Sequence, residues 1–222
     1  MNAIDWGLVW SSLGPLLEGL LRGTLPLTAV SFVLGLALAL LLALMRLSGR
    51  RLVSALARAY VSVIRGTPLL LQLFIVFFGL PSLGITLDPW PSAIIALSLN
   101  VGGYASEAVR GAIIAVPRGQ WEAAMTVGMS RTTTLRRVVL PQAARIAVPS
   151  LSNTLISLVK DTSLVSVVLV TELLRQAQII AGQTFEYFTL YSVAAVYYWV
   201  VCLLLSIGQA RLETRLSRHV AV

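Results

Sequence analysis

Five apolar runs, separated by clusters of arginine on alternate sides, leave this chain few ways to fold. The runs cover about 25–45, 59–80, 91–116, 143–170 and 187–207, and each supplies the roughly 20 apolar residues that one transmembrane helix needs. Arg46, Arg50, Arg51 and Arg58 follow the first run. Arg118, Arg131, Arg136, Arg137 and Arg145 follow the third, and Arg211, Arg215 and Arg218 the fifth. The opposite side holds Arg22 and Arg175 beside Asp5, Glu18, Asp88, Glu172 and Glu186. Lys and Arg near span ends mark the cytoplasmic face. Five spans then place the N-terminus outside and the C-terminus inside.

Composition supports an all-α integral membrane protein. Apolar residues make up 57% of the 222 and charged ones 12%, against about a quarter charged in soluble domains. Mean hydropathy is +0.86 over the whole chain. The length allows roughly four to six spans and no separate soluble domain, so residues 1–222 read as one transmembrane domain. The net charge of +8 follows from the topological bias and calls for no nucleic acid. The first twenty residues lack a basic n-region and carry Asp5 and Glu18, unlike a cleaved signal peptide. Trp6 and Trp10 suit a helix lying at the membrane interface. Residues 81–90, with Pro, Gly and Asp, read as a turn-like outer loop.

The chain offers little for catalysis. Its one cysteine, Cys202, permits no internal disulfide or cysteine metal site. Its one histidine, His219, sits in a basic tail without other metal-type ligands. Lys160, the only lysine, is preceded by Val159, so the phosphate-cradling G-x-x-x-x-G-K-[ST] loop is absent.

A polar island interrupts the apolar pattern at about 117–142. It is too rich in arginine for a bilayer interior. Gln120 to Val127 are good helix formers, Gly128 supplies a turn, and Ser130 can cap a second short helix that ends before Pro141. Ala123 and Ala124 would let a partner surface approach closely, and Glu122 would offer it an acceptor. Two readings stay open on chemistry alone: a docking element, or an amphipathic pair resting on lipid.

The spacing Glu122-Ala123-Ala124, three residues, Gly128, nine residues, Val138-Val139-Leu140-Pro141 resembles the signature loop of ABC importer permeases. Arg65-Gly66-Thr67-Pro68-Leu69 resembles a stretch of the polar amino-acid permeases. So do Asn100, Tyr104, Glu107 and Arg110-Gly111 in the third run, Gly119-Gln120 at the loop entry, and Lys160-Asp161-Thr162-Ser163-Leu164. The segments 151–161 and 171–178 look most like cystine permeases. Permeases for cationic amino acids tend to carry Glu where this chain has Thr154, so a zwitterionic substrate fits better.

The resemblance implies a type I importer permease in a bacterial cytoplasmic membrane, paired with itself or a related permease. It implies two cytoplasmic ATPase subunits, which would bind ATP and Mg, docked on the 117–142 loop through Glu122, Ala123, Ala124, Gly128, Leu140 and Pro141. It also implies an extracytoplasmic binding protein. The permease itself would carry no catalytic residue, metal or cofactor.

Lys160 and Asp161 fall within the fourth run, where a charge costs at least about 2.5 kcal/mol on insertion scales and usually serves function. Successive helical residues point about 100° apart, so the two do not simply pair. Asp161 could meet a substrate ammonium, with Asn153 and Thr154 two turns away on the same face, or it could join a buried ion network. Arg65 and Glu107 could form a gate-like bridge, or Arg65 could snorkel while Glu107 is structural. Pro68, with Gly66, could break the second span, and Pro149 predicts a kink in the fourth. Ser31, Gly35 and Ala39 recur every four residues and favour close helix packing, within the chain or across a dimer. The rival class is a self-sufficient channel or proton-coupled transporter using Asp161 or Glu107. The polar loop and the missing inverted repeat speak against it.

Overall fold

A computed structural model describes residues 5–217, and every regular element among them is helical. His219 and Arg218 lie outside the described residues. Helix α1 runs from Trp6 to Leu47, its first turn capped by the Asp5 carboxylate, which accepts from the Leu8 N–H at 3.0 Å. Helix α2 covers Arg51–Gly66, α3 Leu69–Leu83, α4 Pro89–Ala115 and α5 Arg118–Thr126. Helix α6 covers Arg131–Val168, α7 Leu173–Thr184 and α8 Tyr187–Ser217.

Two expected boundaries are corrected, and the break allowed for in the second span is found. The interfacial helix with Trp6 and Trp10 and the first span are one continuous helix. The second span is broken, with α2 and α3 at 106° to one another. Pro68 forces this: the residue before a proline avoids the α region, and Thr67 is extended at φ −123°, ψ 146°. The second loop helix does not stop before Pro141 but continues into the fourth span, through Pro149, as α6. After α6 the chain turns at Leu169, φ 64°, into α7, which the sequence reading left as loop.

Wide π-turns explain the long helices. Each of the three, Leu20–Thr24, Ile75–Gly79 and Leu135–Val139, is followed directly by Leu-Pro. A proline ring collides with the carbonyl four residues back and has no N–H to give it. An i→i+5 turn just ahead opens that spacing, so Pro26 and Pro141 are carried inside continuous helices.

Helix α4 is the centre of the packing. The small-residue stripe of α1 faces it: Ser31 and Ala39 are fully buried, and a Cβ on Gly35 would sit 2.4 Å from Val101. Gly102 likewise admits Leu38 of α1, and Gly103 admits Ile64 of α2. The stripe therefore serves packing within the chain. Gly35→Val is expected to overpack this seam, costing about 1–3 kcal/mol and lowering the yield of folded protein in detergent. An unchanged melting temperature would contradict the seam.

A fully buried acid, Glu172, joins the other end. Its carboxylate caps α7, accepting from the N–H of Leu174 at 2.9 Å and of Arg175 at 2.7 Å. It also accepts from Tyr198 of α8 at 2.6 Å and Thr24 of α1 at 3.4 Å. Gly19 and Gly23 let α1 lie directly on its backbone. Glu172→Ala would leave these donors without an acceptor, at about 1–3 kcal/mol each where burial is complete. Thermal unfolding of the purified protein should fall by at least about 8 °C, since 1 kcal/mol shifts a domain of this size by about 2–4 °C.

Candidate functional site

The break between α2 and α3 places a loop of backbone beside α4 and α6. There it borders a half-open cavity of about 420 Å³, within the 300–1,000 Å³ usual for small-molecule sites. Its polar lining comes from Thr67, Asn100, Tyr104, Asn153, Thr154, Ser157 and Asp161, with Pro68, Leu69, Val101 and Leu158 as apolar wall. The structure thus brings together Pro68, Asn100, Tyr104, Asn153, Thr154 and Asp161 from the sequence reading. Lys160 is not in the lining; it is exposed on another face of α6.

The lining is held in place from behind. Gln72, buried in α3, donates to the Ile64 carbonyl at 2.8 Å and to the Thr67 hydroxyl at 2.9 Å, tying the two arms of the break. Its own carbonyl accepts from Asn100 at 3.0 Å. The sequence reading missed Gln72, although a lone amide in an apolar run, four residues after a helix-breaking proline, was a readable signal. Asn153 accepts from Gln209 of α8 at 3.3 Å, and Thr154 donates to the Ser150 carbonyl at 3.0 Å. Asp161 differs from all of these. Among the described residues no cation lies within ion-pair distance of it and no side chain donates to it. The expected alternative, an ion pair with an arginine of another span, is not formed among the described residues. Asp161 is a half-buried carboxylate left to face the cavity.

Glu107 is held quite differently. Arg46 of α1 donates to it directly, and Arg110 does so at 3.0 and 3.2 Å. Arg65 is its outermost neighbour at 3.8 Å and stacks over the Tyr104 ring at 5.6 Å. The Arg65–Glu107 pair is therefore not a simple gate-like bridge, because Glu107 ties α1 to α4. Arg46 was read only as part of a topological cluster.

The 117–142 segment folds as a helix, a glycine turn and a helix. Gly128 has φ +80°, and Ser130 caps the second helix by accepting from the Thr133 N–H at 3.3 Å. Trp121, Leu135 and Leu140 pack inward against Ala112, Ile113, Val116 and Val139. Gln142 donates to Gln120 at 3.1 Å across the base of the loop. Outward stand Glu122, Ala123, Met125 and Val127, with Pro141 exposed farther along. Ala124 does not take part as expected: it is buried at 6% exposure, so Ala123 alone presents the small surface.

Comparison with known proteins places this arrangement. The chain is 53% identical to the L-cystine transport system permease protein TcyB of Bacillus subtilis, over 99% of this chain and 94% of that protein. It is 36% identical to the glutamine transport system permease protein GlnP of Escherichia coli, over 96% and 98%. The fold matches a crystal structure of an amino acid ABC transporter with histidines, with a TM-score of 0.89, 34% identity and coverage of 96% and 100%. Residues 21–218 match the profile of the binding-protein-dependent transport system inner membrane component family. With its helical architecture and its exposed glycine-turned loop, the chain belongs to that family of ABC importer permeases.

Proposed function

We propose that this chain is the membrane-spanning permease subunit of an ATP-driven importer that carries L-cystine across a bacterial cytoplasmic membrane. The observation that carries the reading is the cavity beside the α2–α3 break, where Asp161 forms no ion pair among the described residues and the other polar groups of the lining are neutral. An amino acid's ammonium complements that carboxylate. Neutral Thr154, two turns before Asp161 on the same face of α6, adds no second negative charge to the lining, which favours a zwitterion over a cationic side chain. The 53% identity to a permease named for L-cystine points the same way.

The topology follows. Helices α1 and α8 are each long and apolar enough to cross a bilayer, and the bent pairs α2–α3 and α6–α7 qualify when each is taken as one span. Helix α4, at 27 residues, is about 40 Å long against about 30 Å of hydrocarbon, and serves as the fifth. The N-terminus is outside and the C-terminus inside. The 117–142 loop faces the cytoplasm, where Glu122, Ala123 and the Gly128 turn dock on one of two ATPase subunits that bind ATP and Mg. The permease pairs with itself or a related permease, and an extracytoplasmic binding protein delivers substrate. ATP-driven closure moves the loop, and α6, continuous from loop to cavity, carries the motion to Asp161.

The test is uptake of labelled L-cystine into vesicles holding the permease, its ATPase and its binding protein. Saturable, ATP-dependent uptake blocked by unlabelled cystine but not by arginine or glutamine is the expected result. Uptake of glutamine alone, as the name of GlnP suggests for that relative, would replace the substrate and keep the mechanism. Uptake without the ATPase would overturn the mechanism.

A further inference from the structure

Tyr104 is a wall shared by two cavities. On one side is the cavity that holds Asp161; on the other is an open cleft of about 520 Å³, lined by Arg46, Arg58, Ser62, Arg65, Tyr104 and Glu107. The backbone continues the partition, for Arg65 and Gly66 line the cleft while Thr67 and Pro68 line the cavity. The two differ in charge. The cavity has one carboxylate and no cation in its lining, whereas the cleft has three guanidinium groups and one carboxylate.

That carboxylate is already committed. Glu107 accepts from Arg46 and Arg110, and these contacts leave Arg65 at its edge. Among the described residues Arg58 forms no ion pair and donates only to the Ser54 hydroxyl, at 2.6 Å. Arg65 and Arg58 thus carry positive charge into an open cleft without a strong acidic partner. A planar guanidinium holds a carboxylate bidentately, and Arg65, stacked on Tyr104, stands at the partition.

We propose that this cleft is a carboxylate-binding vestibule, in which Arg65, with Arg58 behind it, takes the α-carboxylate of the amino acid as it leaves Asp161 past Tyr104. The inference rests on the amino-acid reading of the Asp161 cavity and adds a second site to it. A zwitterion would meet Asp161 through its ammonium first and the arginine cleft through its carboxylate next. Arg65 acts here as a binding residue, and Tyr104 positions its guanidinium.

The test measures binding to the nucleotide-free permease–ATPase complex in nanodiscs of phosphatidylcholine, without the binding protein. The probes are L-cystine and its diamide, which keeps both ammonium groups but has no carboxylate. The wild type should prefer cystine by about tenfold, as expected for a charge-assisted contact of roughly 1.4 kcal/mol. Arg65→Gln should bring the two probes to within about twofold, Arg65→Lys should restore part of the preference, and Arg58→Gln should reduce it less. A variant that merely disturbs the fold weakens both probes alike and leaves their ratio unchanged, which overturns the proposal. So does a wild type that binds both probes equally. Repeating the wild-type measurement with phosphatidylglycerol in the disc tests a lipid phosphate as the occupant. Loss of cystine binding in the wild type, but not in Arg65→Gln, would assign the cleft to lipid and overturn the proposal. Failure of the wild type to bind cystine at all would instead sink the substrate reading itself.

Discussion

Asp161→Asn should reduce L-cystine uptake by about a hundredfold while the complex still assembles. The substitution keeps the size of the side chain and removes only its charge. Truncating one partner of a desolvated, hydrogen-bonded charge pair costs about 2–5 kcal/mol, and each 1.4 kcal/mol is tenfold. Asp161 makes no ion pair within the described chain, so little of the fold depends on its charge. Uptake and melting temperature, measured on the same preparation, separate the two roles. A fall in both would make Asp161 a structural acid; normal uptake would remove it from the substrate path. Glu107 gives the contrast. Held by Arg46 and Arg110, it should lose stability as well as transport when changed to Gln.

Gly128→Val should stop uptake, by at least about tenfold, while the ATPase subunits go on hydrolysing ATP. A Cβ at this position would meet nothing within 4 Å, so space is not the difficulty. The difficulty is φ +80°, which costs a β-branched residue about 1–3 kcal/mol and which asparagine tolerates. Gly128→Asn should therefore transport nearly as well as the wild type. The pair of variants isolates the turn, because both add a side chain and only one distorts the backbone. Glu122→Lys, at an exposed position beside the turn, should uncouple in the same way without strain. Uptake and phosphate release followed in one set of vesicles check both variants. If Gly128→Val and Glu122→Lys transport normally, the loop is not the docking element.

Much of this was legible in the residues because prolines, glycines and charges act locally. Pro68 marked the break, Gly128 the turn and Ser130 the cap, each for a reason confined to a few atoms. The cavity was legible in parts: Asp161 stood out as a charge in an apolar run with Asn153 and Thr154 on its face, Asn100 and Tyr104 entered only through the family resemblance, and the fold brought them together. What stayed hidden needed partners distant in the chain. Arg46 looked like one more positive residue at a span end until α4 placed Glu107 beside it. Ala124 looked like its neighbour Ala123 until packing turned it inward. Proline misled in one respect, since Pro141 was read as lying past the end of the second loop helix, while the π-turn ahead of it carries the helix across. Helix α7 was hidden because its cap is Glu172, an acid that read as an ordinary outer-loop charge.

Glu172 also bears on how the chain is made. Its carboxylate meets Thr24, made 148 residues earlier, but must wait for Tyr198, 26 residues later. Until the last helix emerges from the ribosome and settles, a buried acid lacks one of its four donors, at the point where three helices meet. Synthesis that stops before residue 198 leaves an exposed flaw that the finished chain lacks. The cell's quality-control proteases would have a chemical mark by which to tell an incomplete permease from a complete one.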